Sequence, residues 1–286
     1  MSNRTFGIIG GGMVGGSVAK GLMLDGDVGL YDTNPKRKTA EFEWVVNADF
    51  VFVCVPTPMT DVEGGRADLS IMDSVFEQID KTRKEIENVN KDSIFIIKST
   101  VPVGTTRKYI DAYDFPVVHC PEFLTARACH IDFLTPSRNI IGGIDEMAMK
   151  VLEEFFAERF PGVPVLSMGP EEAEFVKYFC NCFFATKVMF FNEIKLLVDK
   201  MGANWDDVIK GTMSDGRIGV SHFQVPGHDG DAGFGGLCFP KDINAMIARF
   251  EDEGLDPKVM KAVWEQNKTI RKNWDWMHIE GAVSKK

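Results

Sequence analysis

This chain has no long apolar run free of polar residues. Its most apolar stretch, Tyr178 to Phe191 (YFCNCFFATKVMFF), carries Asn181 and Lys187 and is too short to cross a bilayer, so it is expected as a buried helix. The N-terminus, MSNRTFGIIGGG, lacks the apolar core and cleavage site of a secretory signal. Positive charge is scarce. Against 42 Asp and Glu stand 32 Lys and Arg, a net charge of −10 that argues against nucleic acid or an anionic membrane as a general partner. Six cysteines are scattered with neither the spacing of a small disulfide framework nor that of a zinc site. The thiols are therefore expected to be reduced, the compartment cytoplasmic and the protein free of metal. No internal repeat or low-complexity linker divides the chain.

What is present is a change of texture near residue 170. Before it, short apolar runs alternate with helical patterns: TFGII, GLYDT, DFVFVCVP, SIFIIKST, FPVVHCPE and NIIGG read as strands, and SIMDSVFEQIDKTRKEIE reads as a helix. Runs such as DFVFVCVP, apolar throughout, are what a strand covered on both faces requires. The alternation predicts an α/β domain, a Rossmann-like doubly wound parallel sheet, over residues 1–169. Residues 170–286 read as a mainly helical domain. A long central helix opens it, with Glu171 and Glu172 in the first turn, where the helix dipole favours them. It is apolar around most of its circumference as far as Met201, so protein must cover it: either its own chain or a second subunit. Shorter helices follow around 206–210, 240–250 and 257–274.

Two stretches carry chemistry. Gly10, Gly12 and Gly15 form G-x-G-x-x-G between a strand and a helix, where glycines allow a tight turn, a close pyrophosphate and close helix packing. Asp32, at the end of the second strand, would bind ribose hydroxyls and repel a 2′-phosphate. NAD is thus the expected cofactor. The second stretch is GFGGLCFPKD (233–242). Pro240 suits the first position of a helix, which sets Cys238 just ahead of an N-terminus whose dipole favours thiolate; the ordinary alternative is a buried, inert thiol. Cys54, Cys120, Cys129, Cys180 and Cys182 lack this setting and read as packing residues. Lys177 and Asn181, four apart on the long helix, share a face and could steady an oxyanion.

GFGGLCFPKD, EFVKYFCNCF, PEFL, VPTP and STVPVG occur in an order that resembles the UDP-glucose/GDP-mannose dehydrogenase family over roughly residues 5–274. The resemblance is nearest to the members that oxidise UDP-glucose. It implies two successive NAD-dependent oxidations of a nucleotide sugar, UDP-glucose first among the candidates, giving a carboxylate such as UDP-glucuronate, and a homodimer built on the long helix. It implies that Cys238 forms a thiohemiacetal and then a thioester, that Lys177 and Asn181 hold the oxyanion, and that Asp242 orients water or Lys177. Glu122 would act as base for the hydrolytic water, with Thr100 beside it. Thr57, Thr100 and Lys241 would lie at the cofactor with Met13, Val14 and Arg37. Phe123, Leu124, Gly235 and Arg217 would lie at the sugar, Arg217 having a surface salt bridge as its alternative.

The departures are specific. Ala126 stands where the family usually has a glutamate four residues after the PEFL glutamate. Only 17 residues separate Asp32 from Asp49, so part of the usual cofactor-domain edge is expected to be missing. The resemblance stops after AVWEQNKTIRKNWDW, before the family's third, UDP-binding domain. Two other readings stay open: a single-step 3-hydroxyacid-type dehydrogenase, and a catalytically degenerate NAD-binding paralogue.

Overall fold

The computed structural model describes residues 4–284. The chain forms two compact units: one runs up to Thr57 and resumes over Leu69–Lys177, and the other joins Pro58–Asp68 to everything from Tyr178 onward.

In the first unit, β1 (Arg4–Ile9), β2 (Gly26–Tyr31), β3 (Phe50–Val53), β4 (Ile94–Ile97), β5 (Val117–His119), β6 (Asn139–Gly142) and β7 (Val165–Met168) form one sheet in the order β2-β1-β3-β4-β5-β6-β7. Helices α1 (Met13–Leu22), α2 (Phe42–Val46), α3 (Ser70–Glu85), α4 (Thr105–Ala112), α5 (Cys129–Leu134) and α6 (Glu146–Arg159) connect the strands. The period-two rule assigns the side chains to two cores. Phe50 and Phe52 with Ile94 and Ile96 join Leu22, Leu152 and Phe155 on one face. Val51 and Val53 with Phe95 and Ile97 join Met72, Phe76 and Tyr109 on the other. The architecture is the expected doubly wound α/β sheet, with two differences. All neighbours pair in parallel except β5 and β6, which meet antiparallel at His119 and Gly142. β7 went unseen in the sequence because VLSM is half exposed and lacks a continuous apolar signal.

Helix α7 (Pro170–Lys200) begins in this unit and continues into the second, followed by α8 (Trp205–Met213), α9 (Phe239–Asp252), α10 (Lys258–Ile270) and a 3-10 turn at Asp275–Met277. The boundary expected at 169/170 coincides with the start of α7, whereas the chain passes between compact units at Lys177/Tyr178. The reason is packing. A Cβ on Gly142 would lie 2.4 Å from the Ala173 Cβ, so the first turns of α7 are pressed onto β6. Within the second unit, Met59 joins a core of Tyr178, Met189, Phe234, Ile243, Trp264 and Trp276. The Pro58–Asp68 segment is tied there by Met59 N–H to Ala282 O at 2.8 Å and Trp276 Nε1–H to Val62 O at 3.0 Å. Helix α10 is shorter than expected, ending where Arg271 turns extended.

Glu174, fully buried on α7, caps the N-terminus of α4. Its carboxylate accepts the Gly104 N–H at 2.6 Å, the Thr106 N–H at 2.7 Å and the Thr106 hydroxyl at 2.6 Å. Burial outweighs these donors and pushes the carboxyl up from 4.5 to about 7. The folded protein therefore retains a proton over a window in which the unfolded chain releases it. The stability that Glu174 contributes is fully present below pH 4.5 and is lost as pH rises to about 7. The margin by which the wild type exceeds Glu174→Gln in unfolding free energy should therefore shrink by on the order of 3 kcal/mol across this window. Urea midpoints measured from pH 4.5 to 7.5 check this.

Candidate active site

The strand order reverses between β1 and β3, and the crevice outside their C-terminal ends is where a doubly wound sheet takes ligands. Gly10 turns the chain out of β1 at φ 95°, a conformation that favours glycine. A Cβ on Gly15 would fall 1.8 Å from the Gly10 carbonyl oxygen, so α1 can approach the turn only with glycine there. Gly12, the N-cap of α1, differs: an added Cβ would meet nothing within 4 Å. Open space thus lies beside Gly12, at the N-terminus of α1. Asp32, directly after β2, accepts the Gly11 N–H at 2.6 Å and the Asn34 N–H at 2.7 Å, which orient its carboxylate beside the turn. Arg37 also borders Gly11. A permissive turn, a helix N-terminus facing open space and an oriented carboxylate fit a dinucleotide. Beyond β3, the Thr57 hydroxyl donates to the Thr100 carbonyl at 2.7 Å.

A second cluster follows β5. The Lys177 ammonium donates to the Glu122 carbonyl at 2.6 Å and to its Oε1 at 2.9 Å, with both side chains almost fully buried. Glu122 Oε2 accepts the Leu124 N–H at 2.6 Å, closing the PEFL turn on itself. Lys177 also lies over the Phe123 ring at 5.4 Å, and Arg138 stacks on that ring at 4.2 Å. Glu122, Phe123, Leu124 and Arg138 line a cleft of about 280 Å³.

Two neighbours escaped the sequence reading. Lys98, buried, donates to the Pro121 carbonyl at 3.3 Å and the Cys120 sulfur at 3.4 Å, so the two lysines hold successive carbonyls of the PEFL turn. The signal was a charge closing an otherwise apolar strand, IFIIK. His119 is fully buried, and neither ring nitrogen has a hydrogen-bond partner among the described residues. Burial, then Lys98 and Lys177, lowers its pKa to about 3 and keeps the ring neutral. Cys54 is a packing thiol, pushed up to about 12 by burial.

In the second unit, Cys238 is the N-cap of α9, which starts at Phe239 rather than at Pro240. The Cys238 carbonyl accepts the Asp242 N–H at 2.8 Å. Asp242 is buried, accepts the Asn181 amide at 2.5 Å and is ion-paired with Lys241. Lys241, expected beside the cofactor, is thus engaged in the interior. Burial, reinforced by Asp242, raises the Cys182 thiol. Gly235, expected at the sugar, is backed by protein: a Cβ there would fall 2.2 Å from Arg271 Nη2 and 2.3 Å from Asp275 Oδ1. Arg217 is exposed and forms a bidentate pair with Asp215 at 2.9 and 2.5 Å.

Comparison with known proteins gives these clusters a common frame. Residues 30–159 match the UDP-glucose/GDP-mannose dehydrogenase family, NAD binding domain, and residues 171–269 match the same family's central domain. The chain belongs to the UDP-glucose/GDP-mannose dehydrogenase family. Its first unit carries that family's NAD-binding domain, and the cofactor of that domain is NAD. The glycine turn precedes the matched residues and rests on its own geometry. A UDP-glucose 6-dehydrogenase of Rickettsia conorii is 37% identical over 227 residues, covering 78% of this chain and 49% of the relative. One from Pseudomonas aeruginosa is 37% identical over 237 residues, covering 79% and 49%. The chain spans about half the length of the curated relatives it matches. A UDP-glucose dehydrogenase structure from Pyrobaculum islandicum superposes with a TM-score of 0.80 at 29% identity, covering 93% of this chain and 68% of that one.

The Lys177–Glu122 pair has a measurable weight of its own. Lys177→Met leaves a buried carboxylate without its cation and should cost about 3–5 kcal/mol, while Lys177→Met/Glu122→Gln should recover much of it. Urea denaturation of the single and double variants measures both.

Proposed function

We propose that this chain is an NAD-dependent nucleotide-sugar 6-dehydrogenase that oxidises UDP-glucose to UDP-glucuronate in two steps through Cys238. The observation that carries the reading is Cys238 at the N-terminus of α9, one turn ahead of an Asp242 held by Asn181 and Lys241. Gly10, Gly12, Met13, Val14, Gly15, Asp32 and Arg37 would hold NAD at the glycine turn, where it would supply the hydride acceptor for each oxidation. Thr57, Thr100 and Lys241 serve its nicotinamide side. Once the primary alcohol has become an aldehyde, the Cys238 sulfur adds to the carbonyl carbon, and the carbonyl oxygen becomes the hydroxyl of a thiohemiacetal. Lys177 and Asn181 stabilise negative charge on that oxygen. Loss of the second hydride from the carbon and of the hydroxyl proton leaves a thioester. Glu122, with Thr100, takes a proton from water as the water attacks, and cleavage of the C–S bond returns the thiol and yields the carboxylate. Phe123, Leu124, Gly235 and Arg217 are assigned to the sugar side.

A homodimer completes the reading. Phe179, Phe183, Phe190 and Leu197 stand exposed along α7, an apolar face suited to a second copy. No helix among the described residues is long and apolar enough to cross a membrane. A mechanism that needs a reduced thiol suits the cytoplasm.

With UDP-glucose and NAD, Cys238→Ser should abolish net acid formation, and the wild type should release two NADH per sugar consumed. Undiminished glucuronate from Cys238→Ser would reject the thiol route, and one NADH per sugar would favour a single-step dehydrogenase. Gly12→Ala should weaken NAD binding at least about tenfold by calorimetry, since the methyl enters the open space at the helix N-terminus. Its folding stability should stay within about 1 kcal/mol of wild type.

A further inference from the structure

The glycine loop before Cys238 is held by hydrogen bonds at Gly233, Phe234 and Gly236, and most of the holding groups come from one short segment. Asn267, wholly buried in the last turn of α10, accepts the Phe234 N–H at 2.8 Å and returns its own amide N–H to the Phe234 carbonyl at 3.0 Å. Asn and Gln are the side chains that offer a planar donor and acceptor side by side in this way. One turn on, the buried Arg271 pairs with Asp229 at 2.6 Å and with Asp275 at 3.3 Å. Four residues further, both oxygens of Asp275 accept the Gly236 N–H, at 3.0 and 3.1 Å. From α7, Asn192 accepts the Gly233 N–H at 3.0 Å.

The glycines fit these partners closely. Gly233 has φ 69°, and a Cβ there would lie 2.3 Å from Asn267 Oδ1. Gly235 rests directly on the Arg271–Asp275 pair. Between the Gly236 clamp and the hydrogen bond from Asp242 N–H to the Cys238 carbonyl, Leu237 is the one intervening residue. The loop's freedom is therefore removed just where the cysteine leaves it.

We infer that Asn267, Arg271 and Asp275 are positioning residues, holding the glycine loop so that the Cys238 sulfur is aimed at its carbonyl target. The catalytic part of this rests on the thiol route proposed above; the holding of the loop does not. The three residues come from the last turn of α10, its extended end and the 3-10 turn that follows, and all converge on the loop. The segment thus has a role in the cysteine's alignment although none of its residues is assigned to substrate or cofactor.

The test reads the loop without any sugar. Wild-type protein, Asn267→Ala and Asp275→Asn are treated with iodoacetamide below their melting temperatures. The adducts on Cys238 and on Cys129, a reference thiol in the other unit, are quantified by mass spectrometry. Releasing the loop should raise the Cys238:Cys129 ratio about fivefold or more in Asn267→Ala, because the partly buried sulfur gains access. Asp275→Asn keeps an oxygen for the Gly236 N–H but weakens the ion pair, and should give a smaller rise; it decides the matter if Asn267→Ala does not fold. In turnover with UDP-glucose, kcat should fall about tenfold or more from misalignment, with KM for NAD unchanged. An unchanged alkylation ratio in a folded variant overturns the inference, whatever happens to kcat. Full acid formation by Cys238→Ser would remove the thiol route instead, and the ratio would still decide whether these residues hold the loop.

Discussion

Glu174 and Lys177 stand three residues apart on α7, and each carries an ionisable group into the interior to grip a different loop. Glu174 holds the start of α4, just after the STVPVG stretch that contains Thr100. Lys177 holds the PEFL turn that contains Glu122. A carboxyl group and an ammonium buried this deeply are tolerable only because each is satisfied by hydrogen bonds. The first turns of α7 therefore serve as a ruler for the C-terminal edge of the sheet, and the loops at that edge cannot shift independently of the helix. The close contact of Gly142 with Ala173 keeps the ruler in place.

Charge and backbone divide the work differently around the cysteine. Near Glu122 the sheet loops are fixed by buried ammonium groups donating to carbonyls. Around Cys238 the loop is fixed chiefly by amides and a carboxylate accepting from N–H groups of Gly233, Phe234 and Gly236, with Asn267 and Arg271 donating to the Phe234 and Ala232 carbonyls. The difference follows from the backbone. Glycines leave N–H groups exposed to any acceptor, whereas the PEFL turn presents two successive carbonyls and calls for cations.

Much of this was legible in the sequence, and particular residues show why. Gly10, Gly12, Gly15 and Asp32 declared themselves through spacing, since each does a backbone-level job in a strand-turn-helix context. The long helix was visible in its unbroken apolar character, and Cys238 through the proline that follows a glycine-rich loop. Long-range partnerships were not. Nothing local in Pro58–Asp68 tells that it packs with residues some two hundred positions away, as the Trp276–Val62 hydrogen bond requires. VLSM is too short and too exposed to announce a strand. That the missing side chain of Gly235 also makes room for Arg271 and Asp275 could not be seen locally either. Lys98 was passed over because a lysine ending a strand ordinarily reaches water, and only the fold shows its nitrogen turned to Pro121.

The excursion of Pro58–Asp68 has a consequence for how the protein is made. The polypeptide crosses between its compact units three times, after Thr57, after Asp68 and after Lys177, so no single break in the chain yields both units whole. On the ribosome, the early segment around Met59 emerges long before the tryptophans that will enclose it. Until then it has only its own hairpin bonds, such as the Thr60 N–H to the Arg66 carbonyl at 2.9 Å, and the second core closes only when Trp264 and Trp276 arrive.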